Sequence, residues 1–426
     1  MKIAFYTLGC KANQFETQAL ERLFAERGHE IVPFDGFADV YVVNTCTVTA
    51  LSDKKSRNAA RRCKKHNPAA RLVLCGCYAQ VKPQEARALC GADAVIGTPD
   101  KSRVVSIVEE LAPDGVRDLW HEAPPLFDVL PAGGLSGRTR ALLKVQDGCR
   151  NFCTYCLIPF ARGPERSMPF DTAVSEARRL AEEGYREIVL TGIEISAYGR
   201  DLPGRPDLLS LIEALCQAAP GCRIRLGSLE PRTVTEDFAR RCAALPNLCP
   251  HFHLSLQSGC DKTLRAMNRH YTAAEYEELC TRLRSEFEDA TLTTDVMVGF
   301  SGETKEDFEI SRDFVRKIGF EKVHVFPYSR RAGTRAAEFP DVVENAEKER
   351  RSREMIAAAG EVRHEFLERQ IGRTVEVLFE EKLRDGSIQG YTANYTPVRI
   401  KSGCTHGLRK VKITACGDDW CEGELI

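Results

Sequence analysis

The sequence lacks any continuous apolar run of about 18 residues, so it predicts no membrane-spanning helix. Its first residues, MKIAFYTLGCKANQ, do not show the basic, apolar and small-residue order of a secretory signal peptide. The net charge is only −1 over 426 residues, which excludes a globally basic nucleic-acid-binding protein but leaves a local basic face open. We therefore expect a cytoplasmic protein with no membrane partner.

Cysteine, in contrast, is abundant, with 18 residues in the chain. A disulfide framework is not expected, because the cytosol keeps thiols reduced. Metal ligation, catalysis and ordinary burial are the explanations that remain, and cysteine spacing is the first guide among them.

The order of apolar and amphipathic stretches predicts an α/β protein of several domains. Residues 1–112 alternate strand-like and helical stretches, which is typical of a parallel α/β domain, and residues 113–134 form a linker rich in proline and glycine. Residues 135–369 contain six βα units, which predict an open partial barrel. Residues 370–426 alternate like short strands and predict a small all-β barrel.

The expected strands and helices follow from these patterns. In the first domain the expected strands are Lys2–Leu8, Val40–Thr45 and Arg71–Cys75, with helices at Gln14–Arg27 and Ser52–Lys65. In the central domain the expected strands are Arg140–Gln146, Glu187–Thr191, Arg223–Ser228, His251–Gln257, Leu292–Val298 and Lys322–Tyr328. A charged helix is expected at 343–369.

The segment GCRNFCTYCLIPFARG places Cys149, Cys153 and Cys156 in a C-x3-C-x2-C array just after a predicted strand. Three thiolates can hold three irons of a 4Fe–4S cluster and leave the fourth iron open to a ligand. In this setting the ligand would be the amino and carboxylate groups of S-adenosylmethionine, whose reductive cleavage yields a 5′-deoxyadenosyl radical.

Structural zinc is the alternative for this array. Such a site requires four ligands, yet no histidine occurs between His121 and His251, and a fourth cysteine at finger spacing is missing. A ferredoxin-type electron carrier would space its cysteines C-x2-C-x2-C and supply a fourth ligand. The residues therefore favour the cluster with one open iron.

Three further cysteines, Cys10, Cys46 and Cys77, each follow a predicted strand of the first domain. Because parallel strands end at the same edge of a sheet, these thiols are expected to meet there and to hold a second cluster. The alternative is that they are buried small hydrophobic residues, as free cysteines usually are. Cys75 lies beside Cys77, whereas Cys63 and Cys90 fall on helical stretches.

The array at 149–156, with Tyr155 before its last cysteine, resembles the radical S-adenosylmethionine superfamily. This resemblance implies that Tyr155 packs near the adenine of the cofactor. By the same resemblance, TGIEISAYG contributes Gly192 and Glu194, SLEP contributes Ser228 and Glu230, and SLQSG contributes Gln257. The alternative for each polar residue is a capping role at the helix that follows its strand.

The segments TLGCKANQFET, VNTCTVT and GCYAQ resemble the methylthiotransferase family, and so do TTDVMVGFSGET and HVFPYSRRAGT. The resemblance covers essentially the whole chain and implies that Cys10, Cys46 and Cys77 hold an auxiliary 4Fe–4S cluster. It favours Cys77 over Cys75 as the ligand and identifies the last barrel as a TRAM RNA-binding domain. Ser301 departs from the family pattern, where proline is expected, but this change removes no ligand.

The family replaces a C–H bond with C–S–CH3, which implies two 4Fe–4S clusters and two molecules of S-adenosylmethionine. One molecule is the radical source and the other is the methyl donor. An electron donor of the flavodoxin or ferredoxin type is a further expected partner, whereas the sequence does not identify the sulfur donor.

The opening TLGCKANQ resembles the branch that acts on N6-threonylcarbamoyladenosine at position 37 of tRNA. The alternatives are the branch acting on N6-isopentenyladenosine and the one acting on a ribosomal-protein aspartate. Support for RNA comes from two basic stretches, although such stretches are often solvated faces. The first has eight basic residues between 54 and 71, and the second includes Arg399, Lys401, Arg409, Lys410 and Lys412, with Tyr391 and Tyr395 nearby.

Two other classes of protein fit parts of the pattern. A non-enzymatic RNA-binding protein with structural zinc would need four ligands per site, and each group here has three cysteines. A radical enzyme of another kind would not need Cys10, Cys46 and Cys77 at converging strand ends.

Overall fold

The computed structural model describes residues 1–99, 101–111, 117–119, 126–135, 139–340, 342–403 and 406–426. Much of the predicted linker, at 113–116 and 120–125, lies outside the described residues. Within that stretch Arg117–Leu119 forms a strand, which extends the sheet of the first domain. No helix in the described part of the chain is long and apolar enough to cross a membrane.

The first domain is built on a six-stranded parallel sheet with the order β2-β1-β3-β4-β5-β6. Every residue of its third strand is buried, as expected for a central strand covered on both faces by helices. The elements are β1 (Lys2–Thr7), α1 (Lys11–Glu26), β2 (Glu30–Val32), β3 (Val40–Thr45), α2 (Ala50–His66), β4 (Arg71–Gly76), α3 (Cys77–Val81), α4 (Pro83–Cys90), β5 (Ala94–Ile96), α5 (Val104–Glu110) and β6 (Arg117–Leu119).

The central domain is the predicted partial barrel of parallel strands with helices outside. Its elements are β7 (Arg140–Lys144), β8 (Gln146–Asp147), α6 (Ile158–Arg162), β9 (Arg166–Ser167), α7 (Phe170–Glu182), β10 (Glu187–Thr191), α8 (Leu208–Ala218), β11 (Arg223–Arg225), β12 (Ser228–Leu229), α9 (Glu236–Ala243), β13 (His251–Leu254), α10 (Asp261–Ala266), α11 (Ala273–Glu286), β14 (Thr291–Val298), α12 (Lys305–Ile318) and β15 (Lys322–Pro327).

One predicted strand of this domain is divided. The expected strand Arg223–Ser228 forms two short strands, β11 and β12, with a break at Leu226–Gly227. The barrel wall therefore consists of one sheet ordered β11-β10-β7 and another ordered β12-β13-β14-β15. A Cβ on Gly227 would lie 2.7 Å from the carbonyl oxygen of Leu190, so the chain passes too close to β10 for any larger residue.

The helix α13 (Asn345–Glu368) leads into the third domain, which is a closed barrel as predicted. Its strands are β16 (Thr374–Lys382), β17 (Ile388–Thr392), β18 (Pro397–Ile400), β19 (Gly407–Cys416) and β20 (Cys421–Leu425). The barrel contacts the central domain through arginines of β11. Arg225 donates to the carbonyl oxygens of Ala393 at 2.9 Å and Thr392 at 3.3 Å, and Arg223 pairs with Glu376 at 2.9 Å.

A buried ionic cluster joins the first domain to the central domain. Glu16 of α1 accepts from Lys144 of β7 at 2.8 Å and from Arg162 of α6 at 2.7 Å, and it also pairs with Lys101. Arg162 donates in turn to Asp147 at 3.0 Å. Burial disfavours the Glu16 carboxylate, but Arg162, Lys101 and Lys144 outweigh that effect and hold its pKa well below the ordinary value. Buried ion pairs therefore hold the first and central domains together.

Candidate active site

Cys149, Cys153 and Cys156 lie in the loop that joins β8 to α6, and all three are half-buried. Backbone amides point at their sulfurs, with Asn151 N 3.4 Å from Cys149 Sγ and Ile158 N 3.4 Å from Cys156 Sγ. Hydrogen bonds of this kind stabilise thiolates, which are the metal-binding form of cysteine.

These three thiols are close enough to affect one another electrostatically. Burial, together with the charges of Glu194, Cys156 and Cys153, raises the pKa of Cys149 to about 12. Burial and the charge of Cys153 raise the pKa of Cys156 to about 12 as well. Three thiols crowded into one loop lose their protons readily only beside a cationic partner. Binding of iron would provide that partner and release the protons. The donor set therefore fits a cluster held by three cysteines.

Cys10, Cys46 and Cys77 follow β1, β3 and β4, which are neighbouring strands, and so they lie at one edge of the first sheet. A Cβ on Gly9 would lie 3.0 Å from Cys46 Sγ, which shows how closely the segment before Cys10 approaches Cys46. Burial raises the pKa of Cys77 to about 11, and the charges of Cys10 and Cys46 add to this effect. The structure therefore brings these three cysteines together, and this donor set also fits a cluster.

The other cysteines of the first domain have a different environment. Cys75 and Cys63 are fully buried in its hydrophobic core, and Cys90 is nearly so. Cys10 is exposed, unlike a buried small hydrophobic residue. Cys46 and Cys77 are also buried, but neither belongs to a hydrophobic core cluster, so Cys77 at the start of α3 is better placed than Cys75 to hold a cluster with Cys10 and Cys46.

The two groups of cysteines face each other across the domain boundary. The charge of Cys77 contributes to the raised pKa of Cys156, and α3 packs on α6. A hydrogen bond of 2.7 Å from the Thr98 hydroxyl to the Ala161 carbonyl oxygen ties the same two regions together. The arrangement can place two metal clusters on opposite sides of one reaction space.

No three His, Cys, Asp or Glu side chains in the described part of the chain are grouped tightly enough for a single metal ion. A four-iron cluster is larger than one ion and takes its cysteines from a wider triangle. Each of the two cysteine groups offers three thiols, one fewer than a structural zinc site needs.

Glu194 and Glu230 occupy similar positions, each before a short 3-10 turn, yet their contacts differ. Glu230 caps its turn by accepting from the backbone N–H of Arg232 at 3.0 Å, and it also pairs with the Arg232 side chain. Glu194 makes no capping bond and instead accepts from Asn151 of the cysteine loop at 3.0 Å. The contacts of Glu230 match the capping alternative, whereas Glu194 reaches the cysteine loop through Asn151 and also lies beside Ser196 of its own turn.

The Glu194 carboxylate also has an open acceptor. Its Oε1 atom is buried and accepts no well-formed hydrogen bond in the described part of the chain, although Ser196 lies near. Burial raises the pKa of Glu194, and the charge of Glu230 raises it further. An ammonium group close to Cys149 would satisfy this carboxylate.

Gly192 and Gln146 shape the backbone before Glu194. A Cβ on Gly192 would lie 2.9 Å from the Gln146 carbonyl oxygen, so only glycine fits. The Gln146 side chain accepts from the backbone amides of Ile193 at 3.1 Å and Glu194 at 2.7 Å. This loop is therefore held in place beside the cysteines.

The remaining predicted residues have varied surroundings. The Tyr155 ring packs edge-on against Phe300, with centroids 6.4 Å apart. Gln257 is buried and has a positive φ of 69°, a conformation that non-glycine residues rarely adopt and that often marks a functional site. Ser228 lies on β12, is exposed, and lines the cavity described next.

A cavity of about 640 Å³ is lined by all three domains. The first domain contributes Cys10 and Lys11, and the central domain contributes Gly192 and Ser228 together with His251. The third domain contributes aromatic and cationic side chains, namely Tyr391, Tyr395, Arg399 and Trp420. A cavity of this size accommodates a nucleoside, and three of the predicted site residues, Cys10, Gly192 and Ser228, lie at its wall.

The aromatic residues of this wall are already engaged with cations. Tyr391 and Tyr395 stack with centroids 4.7 Å apart, and the Arg225 guanidinium lies 4.6 Å from the Tyr395 ring centre. Arg399 lies 3.6 Å from the Trp420 ring centre. The predicted RNA-binding tyrosines thus form part of the interface between domains as well as the cavity wall.

Arg269 is a site residue that the sequence analysis missed. It donates to Cys153 Sγ at 3.5 Å and to the Ser255 carbonyl oxygen at 3.1 Å, and it stacks on Tyr271. No motif spacing marks it, because its contact with Cys153 joins segments separated by 116 residues.

The basic stretch at 54–71 is only partly free. Arg57 pairs with Glu85, Arg62 with Asp35 and Lys64 with Asp93. The neighbouring side chains of Lys54, Lys55, Arg61 and Lys65 include exposed groups on α2 that keep a local basic face available.

Comparison with known proteins agrees with this geometry. The radical SAM superfamily matches residues 143–315, and Uncharacterized protein family UPF0004 matches residues 2–97. The threonylcarbamoyladenosine tRNA methylthiotransferase MtaB of Bacillus subtilis (strain 168) is 37% identical over 100% of this chain and 96% of its own length. The protein of the same name from Aquifex aeolicus (strain VF5) is 39% identical over 90% of this chain and 94% of its own.

A second type of relative is also similar. The tRNA-2-methylthio-N(6)-dimethylallyladenosine synthase of Carboxydothermus hydrogenoformans is 32% identical over 99% of this chain and 98% of its own length.

Among solved structures, the radical S-adenosylmethionine methyltransferase TsrM from Kitasatospora setae, with cobalamin and a [4Fe-4S] cluster bound, has a TM-score of 0.57. The match has 15% identity and covers 79% of this chain and 76% of TsrM, so it supports the fold alone.

The two cysteine groups, the fold and the full-length similarity lead to one conclusion. Proteins of this kind use S-adenosylmethionine and iron–sulfur clusters, and the two groups of three cysteines are suited to hold two of them. The chain is an enzyme and belongs to the radical S-adenosylmethionine methylthiotransferase family.

Proposed function

We propose that this enzyme inserts a methylthio group at carbon 2 of N6-threonylcarbamoyladenosine at position 37 of tRNA. The observation that carries the proposal is the cavity in which Cys10, Gly192 and the aromatic residues of the third domain meet. The relatives named for threonylcarbamoyladenosine, with identities of 37% and 39% over nearly the whole chain, support this nucleoside.

The residues of this chain have separate tasks in the proposed reaction. Cys149, Cys153 and Cys156 hold one 4Fe–4S cluster, and Cys10, Cys46 and Cys77 hold the other. When bound, the clusters and two molecules of S-adenosylmethionine would supply the radical that removes the hydrogen and the sulfur and methyl group that replace it. Glu194 binds the cofactor's amino group and Gly192 lets it approach, while Ser228, Glu230, Gln257 and Tyr155 line its place.

The domains position the substrate and exclude water from it. The third barrel, with Arg399 and the exposed Lys410 and Lys412, binds tRNA phosphates and brings the nucleoside to the cavity. A cytoplasmic flavodoxin or ferredoxin delivers the electron. These tasks fall to residues 1–112, extended by the strand Arg117–Leu119 of the predicted linker 113–134, to residues 135–369 and to residues 370–426.

Methylthiolation of N6-dimethylallyladenosine is the second candidate function. The similarity to the Carboxydothermus hydrogenoformans synthase, over 98% of its length, supports this second candidate.

Cysteine variants separate the two proposed clusters. Cys156→Ala should abolish formation of 5′-deoxyadenosine, because the radical cluster loses a ligand. Cys46→Ala should retain that formation but yield no methylthio product, because only the auxiliary cluster is lost. Chromatography of the reaction products and the iron content of each variant provide the measurement.

Cys75→Ala is the matched control, since Cys75 lies two residues from Cys77 but packs in the core. It should keep the iron content of the unaltered enzyme. Deoxyadenosine formation by Cys156→Ala, or methylthio product from Cys46→Ala, would contradict the ligand assignment.

A further inference from the structure

Lys11 is the first residue of α1 and directly follows Cys10. It lines the 640 Å³ cavity and also an adjoining cavity of about 540 Å³. Its side chain is reached by solvent, yet protein surrounds it on most sides because it lies within these cavities. In the described part of the chain, its ammonium group has no carboxylate partner within 4.0 Å.

The charges around Lys11 favour an incoming anion. The positive charges of Arg225 and Arg140 act on its ammonium group, and the negative charges of Glu187 and Asp295 oppose them. Both arginines already have carboxylate partners, since Arg225 pairs with Glu187 at 2.7 Å and Arg140 pairs with Glu187 and Glu380 at 3.0 Å. Lys11 therefore has no ion pair of its own in the described part of the chain, and an anionic ligand beside it would form one.

Most other cations of the cavity wall are engaged. Arg363 pairs with Glu321 at 2.5 Å and Asp419 at 3.0 Å. Arg399 stacks on Trp420 and donates to Gln389 at 2.9 Å. Lys322 also has no carboxylate partner in the described part of the chain, but it lies at the first residue of β15 and does not adjoin a cysteine.

A second open group lies in the same cavity wall. His251 is 4% exposed, and its Nδ1 atom has no hydrogen-bond partner in the described part of the chain. Burial and the charge of Arg225 hold the pKa of His251 well below the ordinary value, so the ring is neutral and can hydrogen-bond to a polar ligand. An unpartnered buried polar atom beside an unpaired cation is what a polar, anionic ligand requires.

The proposed substrate has this chemistry. The threonylcarbamoyl group is threonine joined through its amine, so it keeps a free carboxylate and a hydroxyl group, whereas a dimethylallyl group has neither. We propose that Lys11 binds the carboxylate of the threonylcarbamoyl group and so determines which modified adenosine is accepted. This inference rests on the proposed function and adds to it the residue that selects the substrate.

The test uses the cluster-loaded enzyme and RNA hairpins that carry threonylcarbamoyladenosine either as the free acid or as its primary carboxamide. The amide keeps the shape and removes the charge. The unaltered enzyme should prefer the acid by roughly 10- to 100-fold in kcat/KM and in RNA affinity, as expected for one charge-assisted hydrogen bond. Lys11→Met should abolish this preference, and Lys11→Arg should keep it.

Lys322→Met is the matched control, because it removes the other unpaired lysine of the same cavity and should leave the acid preference unchanged. The acid-to-amide ratio compares two substrates on one enzyme, so partial loss of folded protein does not affect it. If Lys11→Met loses its iron, Lys11→Gln takes its place, and the preference of the unaltered enzyme still tests the anionic subsite.

The other source of a carboxylate is S-adenosylmethionine, and the same variants distinguish it. Weaker S-adenosylmethionine binding by Lys11→Met, with the acid preference intact, would overturn the inference and leave the proposed function standing. Equal use of acid and amide by the unaltered enzyme would also overturn it. Inactivity on both hairpins, with activity on a dimethylallyladenosine hairpin, would instead overturn the proposed function and this inference with it.

Discussion

Glu194 is the residue whose contacts bear most directly on the choice between a binding role and a capping role. Its carboxylate is held by Asn151 near Cys149, and one oxygen is left without a well-formed hydrogen bond. A buried acceptor in this state costs free energy unless a ligand satisfies it. The ligand expected here is the amino group of S-adenosylmethionine.

Glu194→Gln should therefore weaken binding of S-adenosylmethionine by roughly 10- to 100-fold, the loss expected when a charged hydrogen bond becomes neutral. Equilibrium binding to the cluster-loaded enzyme measures this change. Glu213 lies on α8 and pairs with Arg241 of α9, far from the predicted cofactor residues in sequence. Glu213→Gln should leave the affinity for S-adenosylmethionine unchanged. Unchanged affinity in Glu194→Gln would show that Glu194 is only structural.

At the residue scale, the sequence predicts which cysteines lie together, because they follow strands and stand in short motifs. The structure brings each group together as expected. Arg269 and the roles of Glu16 and Arg162 could not be identified, since their contacts join residues 116 and 146 positions apart. Long-range contacts between charged side chains leave no periodic pattern in a sequence.

Among the elements, long periodic strands and helices were predictable and short strands were not. Val40–Thr45 and Glu187–Thr191 have the predicted bounds, because each is a continuous run that is buried throughout. The three-residue strands Glu30–Val32 and Ala94–Ile96 are too short to show a pattern. The break at Gly227 was missed because it depends on the approach of a neighbouring strand.

Buried ion pairs join α1 to β7 and α6, and their loss should destabilise the protein. Arg162→Met should lower the free energy of unfolding by about 3–5 kcal/mol, because it leaves Glu16 and Asp147 buried with fewer cations. Denaturant unfolding of the purified protein measures the loss. Arg241→Met, which removes a surface pair with Glu213, should have a far smaller effect. Equal losses in the two variants would contradict the proposed role of the buried cluster.

At the scale of the whole molecule, the third barrel docks against the central domain and completes the cavity wall. Glu187 lies at the centre of that contact, since it pairs with Arg225 and Arg140, and Arg225 also donates to the barrel. Burial disfavours its charge, but Arg225 and Arg140 outweigh burial and lower its pKa below the ordinary 4.5. The charged carboxylate thus holds in place the arginine that contacts the barrel.

A lowered pKa in the folded state means that the unfolded state binds the proton more tightly. The stabilisation from Glu187 is therefore present above pH 4.5, and is lost as the pH falls through the lowered value. Glu187→Gln should cost about 3–5 kcal/mol at pH 7 and should flatten the loss of stability in acid. Denaturant unfolding between pH 7 and about pH 3 measures both effects.

Glu376→Gln is the control for this prediction, because Glu376 pairs with Arg223 across the same interface but is exposed. It should cost at most about 1 kcal/mol and keep the acid dependence of the unaltered protein. An acid dependence in Glu187→Gln equal to that of the unaltered protein would show that other groups control it.

The central claim, that the molecule as a whole modifies threonylcarbamoyladenosine in tRNA, is tested most directly by mass spectrometry of nucleosides. Bulk tRNA is compared between cells with and without this gene. Our account predicts that 2-methylthio-N6-threonylcarbamoyladenosine disappears without the gene while its unthiolated precursor accumulates. An unchanged level of that nucleoside, with or without loss of the 2-methylthio-isopentenyl derivative, would contradict it.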